Sequence, residues 1–104
     1  MEEIAGEGTV RSLKLRDVKT GEQSVLDAEG VFIYVGLRPN SESVKSLVSL
    51  DESGHVVTNE LMETSVPGVF AAGDLRHNSG RQAIIAAGDG ALAVLSVERF
   101  LQEV

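Results

Sequence analysis

The stretch Val69-Phe70-Ala71-Ala72-Gly73-Asp74 decides how this chain is read. Its apolar and small residues run without alternation, the pattern of a strand buried on both faces of a parallel sheet. It ends in Gly-Asp. In an open α/β sheet, ligands bind beyond the carboxyl ends of the strands. Gly73 has no Cβ, so a bulky group can approach its backbone. Asp74, when ionised, only accepts hydrogen bonds; it suits hydroxyl groups and repels phosphate.

Downstream, residues 75–80 form a loop from Leu75 to Gly80, and the pattern predicts a helix over 81–102. Ala83, Ala87, Ala91, Val94, Leu101 and Val104 fall near one stripe, which is expected to be the packed face. Arg81, Gln82 and Ala83 would form the first turn. Backbone N–H groups there lack helical partners and favour an anionic or electron-rich oxygen. Gly88 and Gly90 each weaken a helix by about 1 kcal/mol relative to alanine, a cost that close packing would offset. Together these parts suit a ligand with a polyol arm and an electron-rich ring edge, as flavin has. The competing reading is a small-residue helix–sheet contact with no ligand.

Upstream, Gly30-Val31-Phe32-Ile33-Tyr34-Val35-Gly36 is a second continuous apolar run and reads as another buried strand, with Tyr34 inside it. It echoes Gly68-Val69-Phe70 with Gly73: each run opens and closes on glycine. Coincidence is one account. The other is that each run ends its own nucleotide-binding sheet. Residues 9–17 alternate, with Leu13 and Leu15 on one face. Lys19-Thr20-Gly21-Glu22 supplies a turn and residues 24–27 a returning strand, giving a β-hairpin. Arg38-Pro39-Asn40 breaks the second run, and Asn40 or Ser41 can cap a short helix to about Leu47. A short strand is expected over 55–58, after the turn Asp51-Glu52-Ser53-Gly54. The pattern predicts an α/β fold class with a β-hairpin, buried parallel-type strands and a long C-terminal helix.

Composition narrows the function. The 104 residues carry a net charge of −7, which disfavours a nucleic-acid partner. There is no cysteine, so thiol catalysis, disulfides and cysteine-based zinc sites are outside this chain. Residues 83–97, the longest mostly apolar stretch, contain Asp89 and two glycines and are too short for a membrane span. No basic-then-apolar leader follows Met1, and a cytoplasmic location is the default expectation. No metal site is expected from two isolated histidines. His77 reads as a polar loop residue in preference to an acid/base, and His55 as structural. Arg38 could reach a cofactor or an interface.

The ordered set of Gly30-Val31-Phe32-Ile33-Tyr34-Val35-Gly36, Pro39-Asn40, Leu50-Asp51, Gly54, residues 64–74, Arg81-Gln82-Ala83 and 86–91 resembles the C-terminal segment of the thioredoxin reductase family, within the pyridine-nucleotide disulfide oxidoreductases. The likeness runs over about residues 10–104. It implies a partial FAD/NAD(P)-binding, Rossmann-like fold, with FAD as cofactor and NADPH as electron donor in the complete enzyme and a thioredoxin-like protein as acceptor. It places Gly73, Asp74, Leu75, Arg81, Gln82 and Ala83 at the cofactor, with Asp74 on the ribityl chain and the helix start near the ring edge. Residues 1–36 would end the NADPH-binding domain and 37–104 would belong to the FAD-binding domain.

The departures are as informative. The family's Gly-x-Gly-x-x-Gly loops and Cys-x-x-Cys pair are absent; Gly88-Asp89-Gly90 follows no strand. The expectation is therefore a fragment, inactive alone, that binds FAD weakly or not at all. Its partners would be the remainder of the flavoenzyme and a second copy in a homodimer. A ferredoxin–NADP reductase of the thioredoxin-reductase type, or a non-catalytic complementation module, would account for the same residues.

Overall fold

The structure, a computed structural model, describes all residues 1–104. It divides into two units, Met1–Gly36 and Leu37–Val104.

In the first unit, β1 (Glu3–Ala5), β2 (Ser12–Arg16) and β3 (Gln23–Asp27) form an antiparallel sheet in the order β1-β2-β3. The expected hairpin is β2–β3, with Leu13 opposite Leu26 and Leu15 opposite Ser24. Leu13 and Leu15 are half-buried while Lys14 and Arg16 face solvent, as the alternation requires. The turn is held by Asp17, whose Oδ1 accepts the N–H groups of Lys19 (2.8 Å) and Thr20 (2.9 Å). Gly21 takes φ +77° there. The added strand β1 escaped the sequence pattern because it is only three residues long. Glu3 and the preceding Glu2 tie it to β2: Glu3 pairs with Lys14 at 2.6 Å and Glu2 with Arg16 at 2.5 Å.

The run over 31–35 is not a buried strand in this chain. It has no ladder partner, Phe32 and Val35 are almost fully exposed, and Tyr34 is exposed with them. An apolar run becomes a doubly covered strand only where strands flank it and layers cover both faces. Neither is supplied here.

The second unit packs around Val48, Val56 and Ala71, with Val44, Leu50, Val66, Val69 and Leu75 against them. Its backbone is pinned by isolated bridges instead of ladders. Val56 bridges Leu50 in the antiparallel sense and Arg76 in the parallel sense. Phe70 bridges Glu63 in the antiparallel sense, so the opening stretch is no parallel strand in this chain. Instead it turns back at Pro67-Gly68, where the Val69 N–H donates to Val66 O at 3.0 Å. Gly68 has φ +81°, and a Cβ there would lie 3.1 Å from the Phe100 ring. Phe100 meets Phe70 edge to face, 6.2 Å between centroids.

Residues 42–47 form successive turns, not the expected capped helix, and the Ser41 hydroxyl donates to Gly54 O at 2.6 Å. The long helix is present as α1 (Ala83–Glu103). Its packed face differs from the expected one. Ala83, Ala87, Ala91, Val94, Leu101 and Val104 are all exposed, whereas Asp89 and Ser96 are buried and Ala86, Ala93 and Phe100 half-buried. The helix is apolar nearly all round, so the side that packs is chosen by partners and not by hydrophobicity.

Candidate functional site

Gly73–Leu75 form a single 3-10 turn at the end of the opening stretch. Gly73 is buried with φ +78°, a left-handed conformation that glycine adopts without a Cβ penalty. A Cβ there would touch the Ala86 Cβ at 3.4 Å, so the turn lies directly on α1.

What clamps it there is Asp89, a residue to which sequence reasoning gave no partner. Asp89 Oδ2 accepts the Gly73 N–H at 3.0 Å and Arg76 Nε at 2.5 Å. Asp89 Oδ1 accepts Arg76 Nη2 at 2.8 Å. The fork is bidentate and nearly shielded, with the Asp89 side chain 8% exposed and that of Arg76 15%. Arg76 holds the Asp89 carboxyl below its ordinary range, and Asp89 raises Arg76 in return. The available signal was a single charge within an apolar helix, which has to find a partner if buried.

Asp74 itself is exposed beside this clamp, with Ser79 Oγ 3.4 Å from its Oδ1. It lines a cleft of about 280 Å³ with Leu75, His55, Arg38, Pro39 and Asn40. Arg81 and Gln82 precede the helix instead of forming its first turn. Arg81 has φ +52°, and Gln82 is an extended N-cap without a side-chain cap bond. The Ala86 N–H is bonded to Gln82 O at 2.9 Å. The preceding N–H groups of Ala83, Ile84 and Ile85 belong to the part of a helix that has no internal acceptors. No acidic side chain occupies that first turn. Thus the turn at Gly73, Asp74 and Leu75 and the start of α1 belong to the same unit, tied through Asp89. Arg38 reaches the cleft. His77, in contrast, is turned toward Asp51.

A second polar cluster adjoins the cleft. Asp51 Oδ2 lies 2.6 Å from His77 Nδ1, and Oδ1 accepts the N–H groups of Ser53 and His55, each at 2.9 Å. The His77 bond and then the His55 N–H pull the Asp51 carboxyl down to about 2 from its ordinary 3.8. Unfolded, Asp51 binds its proton near the ordinary value; folded, it resists until the lower one. Its stabilising contribution is therefore complete above about pH 4 and lost as pH falls from about 4 to about 2. Urea unfolding across that window should give a flatter stability profile for Asp51→Asn than for wild type. Equal slopes would sink this assignment.

The fold is thus a partial α/β, Rossmann-like one, and the comparisons give it a family. The model of the pyridine nucleotide-disulphide oxidoreductases matches residues 1–90, and the chain belongs to that family. It is 46% identical to a thioredoxin reductase of Listeria innocua over 104 residues, covering 99% of this chain and 33% of that protein. It is 45% identical to one of Bacillus subtilis over 96 residues, covering 92% and 30%. Among solved structures, the thioredoxin reductase of Streptococcus pyogenes superposes with a TM-score of 0.80 at 41% identity, covering 98% of this chain and 34% of that one. The chain spans about a third of the length of these relatives. Its one long helix is not apolar enough to cross a membrane.

Proposed function

We propose that this chain supplies the ribityl and ring-edge half of the FAD site of an NADPH-dependent, thioredoxin-reducing flavoprotein. The observation that carries the reading is the clamped Gly73–Leu75 turn beside an uncapped helix start, in a chain so similar to thioredoxin reductases over nearly all its length. The donor set fits the cofactor. Asp74 offers an acceptor to ribityl hydroxyls. The backbone from Arg81 through Ala83 offers N–H groups and the positive end of α1 to the electron-rich ring edge, where they stabilise negative charge on reduced flavin. Gly73 keeps the approach free of a side chain, and Leu75 closes the turn. FAD supplies the two-electron chemistry when bound; this chain's part is to hold and orient it.

Residues 1–36 are assigned to the end of the NADPH-binding domain and 37–104 to the FAD-binding domain, in line with the division of the chain into units at Gly36 and Leu37. A disulfide on a thioredoxin-like protein is favoured as acceptor because the similar proteins are named thioredoxin reductases. Assembly as a homodimer and a cytoplasmic location complete the reading. Apolar residues exposed at 32–35 and on α1 support a need for further protein surface.

The test is a chimera in which this chain replaces the matching segment of the Bacillus subtilis relative. It should purify with about one FAD per polypeptide, as a complete flavin site requires, and reduce thioredoxin with NADPH. Asp74→Ala should reduce FAD retention at least tenfold, since hydrogen bonds to a charged group contribute about 1.5–3 kcal/mol. The 104-residue chain alone should bind FAD weakly or not at all. A colourless but folded chimera would refute the half-site.

A further inference from the structure

We propose that His55 is a positioning residue for Arg81, acting as a neutral imidazole with its proton on Nδ1. This rests on the reading that Arg81 borders the flavin, and it adds a residue to that site.

His55 is buried, 7% exposed, and lines the same cleft as Asp74. Its Nε2 lies 3.4 Å from Arg81 Nη2. A guanidinium can only donate, so the ring nitrogen facing it has to be the acceptor. The proton then belongs on Nδ1. That side of the ring faces Asp51 Oδ1 at 3.6 Å, too far for a direct hydrogen bond but close enough for a carboxylate to favour a proton there. His77 holds Asp51 from its other oxygen at 2.6 Å. The charged and titratable groups around His55 are thus Asp51 and His77 on one side, Arg81 on the other, and Asp74 and Arg38 in the cleft.

The backbone makes the contact informative. Arg81 has φ +52°, a conformation uncommon for a residue with a Cβ. Its N–H is held by Ser79 Oγ at 3.3 Å and its side chain by His55, immediately before α1 begins at Ala83. His55 therefore ties both the guanidinium and the left-handed residue that aims the free N–H groups of the helix. A protonated ring would present a second N–H donor to Arg81 and lose the contact, so only the neutral form does this.

Long-range proton–nitrogen NMR of the imidazole rings in the 104-residue chain tests the placement without any cofactor. Wild type should show His55 as a single Nδ1–H tautomer with a bare Nε2. Arg81→Gly accommodates the positive φ and removes the side chain with its guanidinium; it should lose the single-tautomer pattern. An Nε2–H tautomer in wild type, or an unchanged His55 in Arg81→Gly, would overturn the proposal. The link to flavin is read in the chimera. Arg81→Gly and His55→Leu should shift the visible flavin spectrum alike. His55→Gln, whose amide oxygen can accept the same N–H, should restore most of the wild-type spectrum. An intact tautomer result with an unmoved flavin spectrum would overturn the role toward flavin while leaving the His55–Arg81 contact standing. A chimera without FAD would instead count against the half-site itself.

Discussion

Replacing Asp89 by leucine is expected to lower the unfolding free energy by about 3 kcal/mol, the lower end of what breaking a buried ion pair costs. The substitution strips the acceptor from three donors at once: Arg76 Nε, Arg76 Nη2 and the Gly73 N–H. A guanidinium only 15% exposed would keep its desolvation without its partner. Arg76→Leu should be milder, because Asp89 retains the Gly73 N–H. The double variant should fall well short of the sum of the two singles, since it removes both charges together and leaves one orphaned N–H. Denaturant titration followed by the helical circular dichroism signal measures all three. A loss below about 1 kcal/mol in Asp89→Leu would mean that the pair behaves as a solvated surface bridge.

The second large effect is at Gly73. Alanine there is expected to cost about 1–2 kcal/mol, because an L-residue is forced into left-handed backbone. Space is not the obstacle for alanine, whose Cβ would meet Ala86 at an ordinary contact distance of 3.4 Å. Valine adds β-branched bulk against that same methyl and should cost more, and in the chimera it should abolish FAD retention. Asparagine tolerates the left-handed region and should recover part of the alanine loss. Equal stability of Gly73→Ala and wild type would show that the turn does not require the positive φ.

Several features were legible because their cause is local. Leu13 and Leu15 share one face by strand alternation, and Asp17 with Gly21 makes the hairpin turn through bonds two and three residues away. The helix from Ala83 was visible within two residues of its start, because a proline-free run carrying alanine and leucine has local helix propensity. Gly73-Asp74 could be singled out because both residue types carry their chemistry by themselves.

Other features depended on partners distant in sequence. The face of α1 was misread because counting apolar residues rejects Asp89 and Ser96, yet these are its buried positions. A buried carboxylate is tolerated only where a guanidinium meets it, and Arg76 is thirteen residues away, a distance that helical periodicity does not reach. The strands over 31–35 and 69–72 were inferred from runs that need neighbours, and in this chain those residues find none or only one antiparallel bridge. His55 looked structural because an isolated histidine opening the expected strand over 55–58, of which the structure keeps only the bridges at Val56, gives no hint of Asp51 and Arg81 on either side of its ring.

The opening stretch itself divides along this line. Sequence alone determined that Gly73 and Asp74 end an apolar run and precede a helix, and the resemblance of that order to a known family. Only the tertiary structure decided that the run turns back on residues 62–64, and that the turn is locked to α1 through Asp89. The physical reason is that turns and helix propensity are set by neighbouring residues, whereas a buried charge is stabilised only by a partner that folding brings to it.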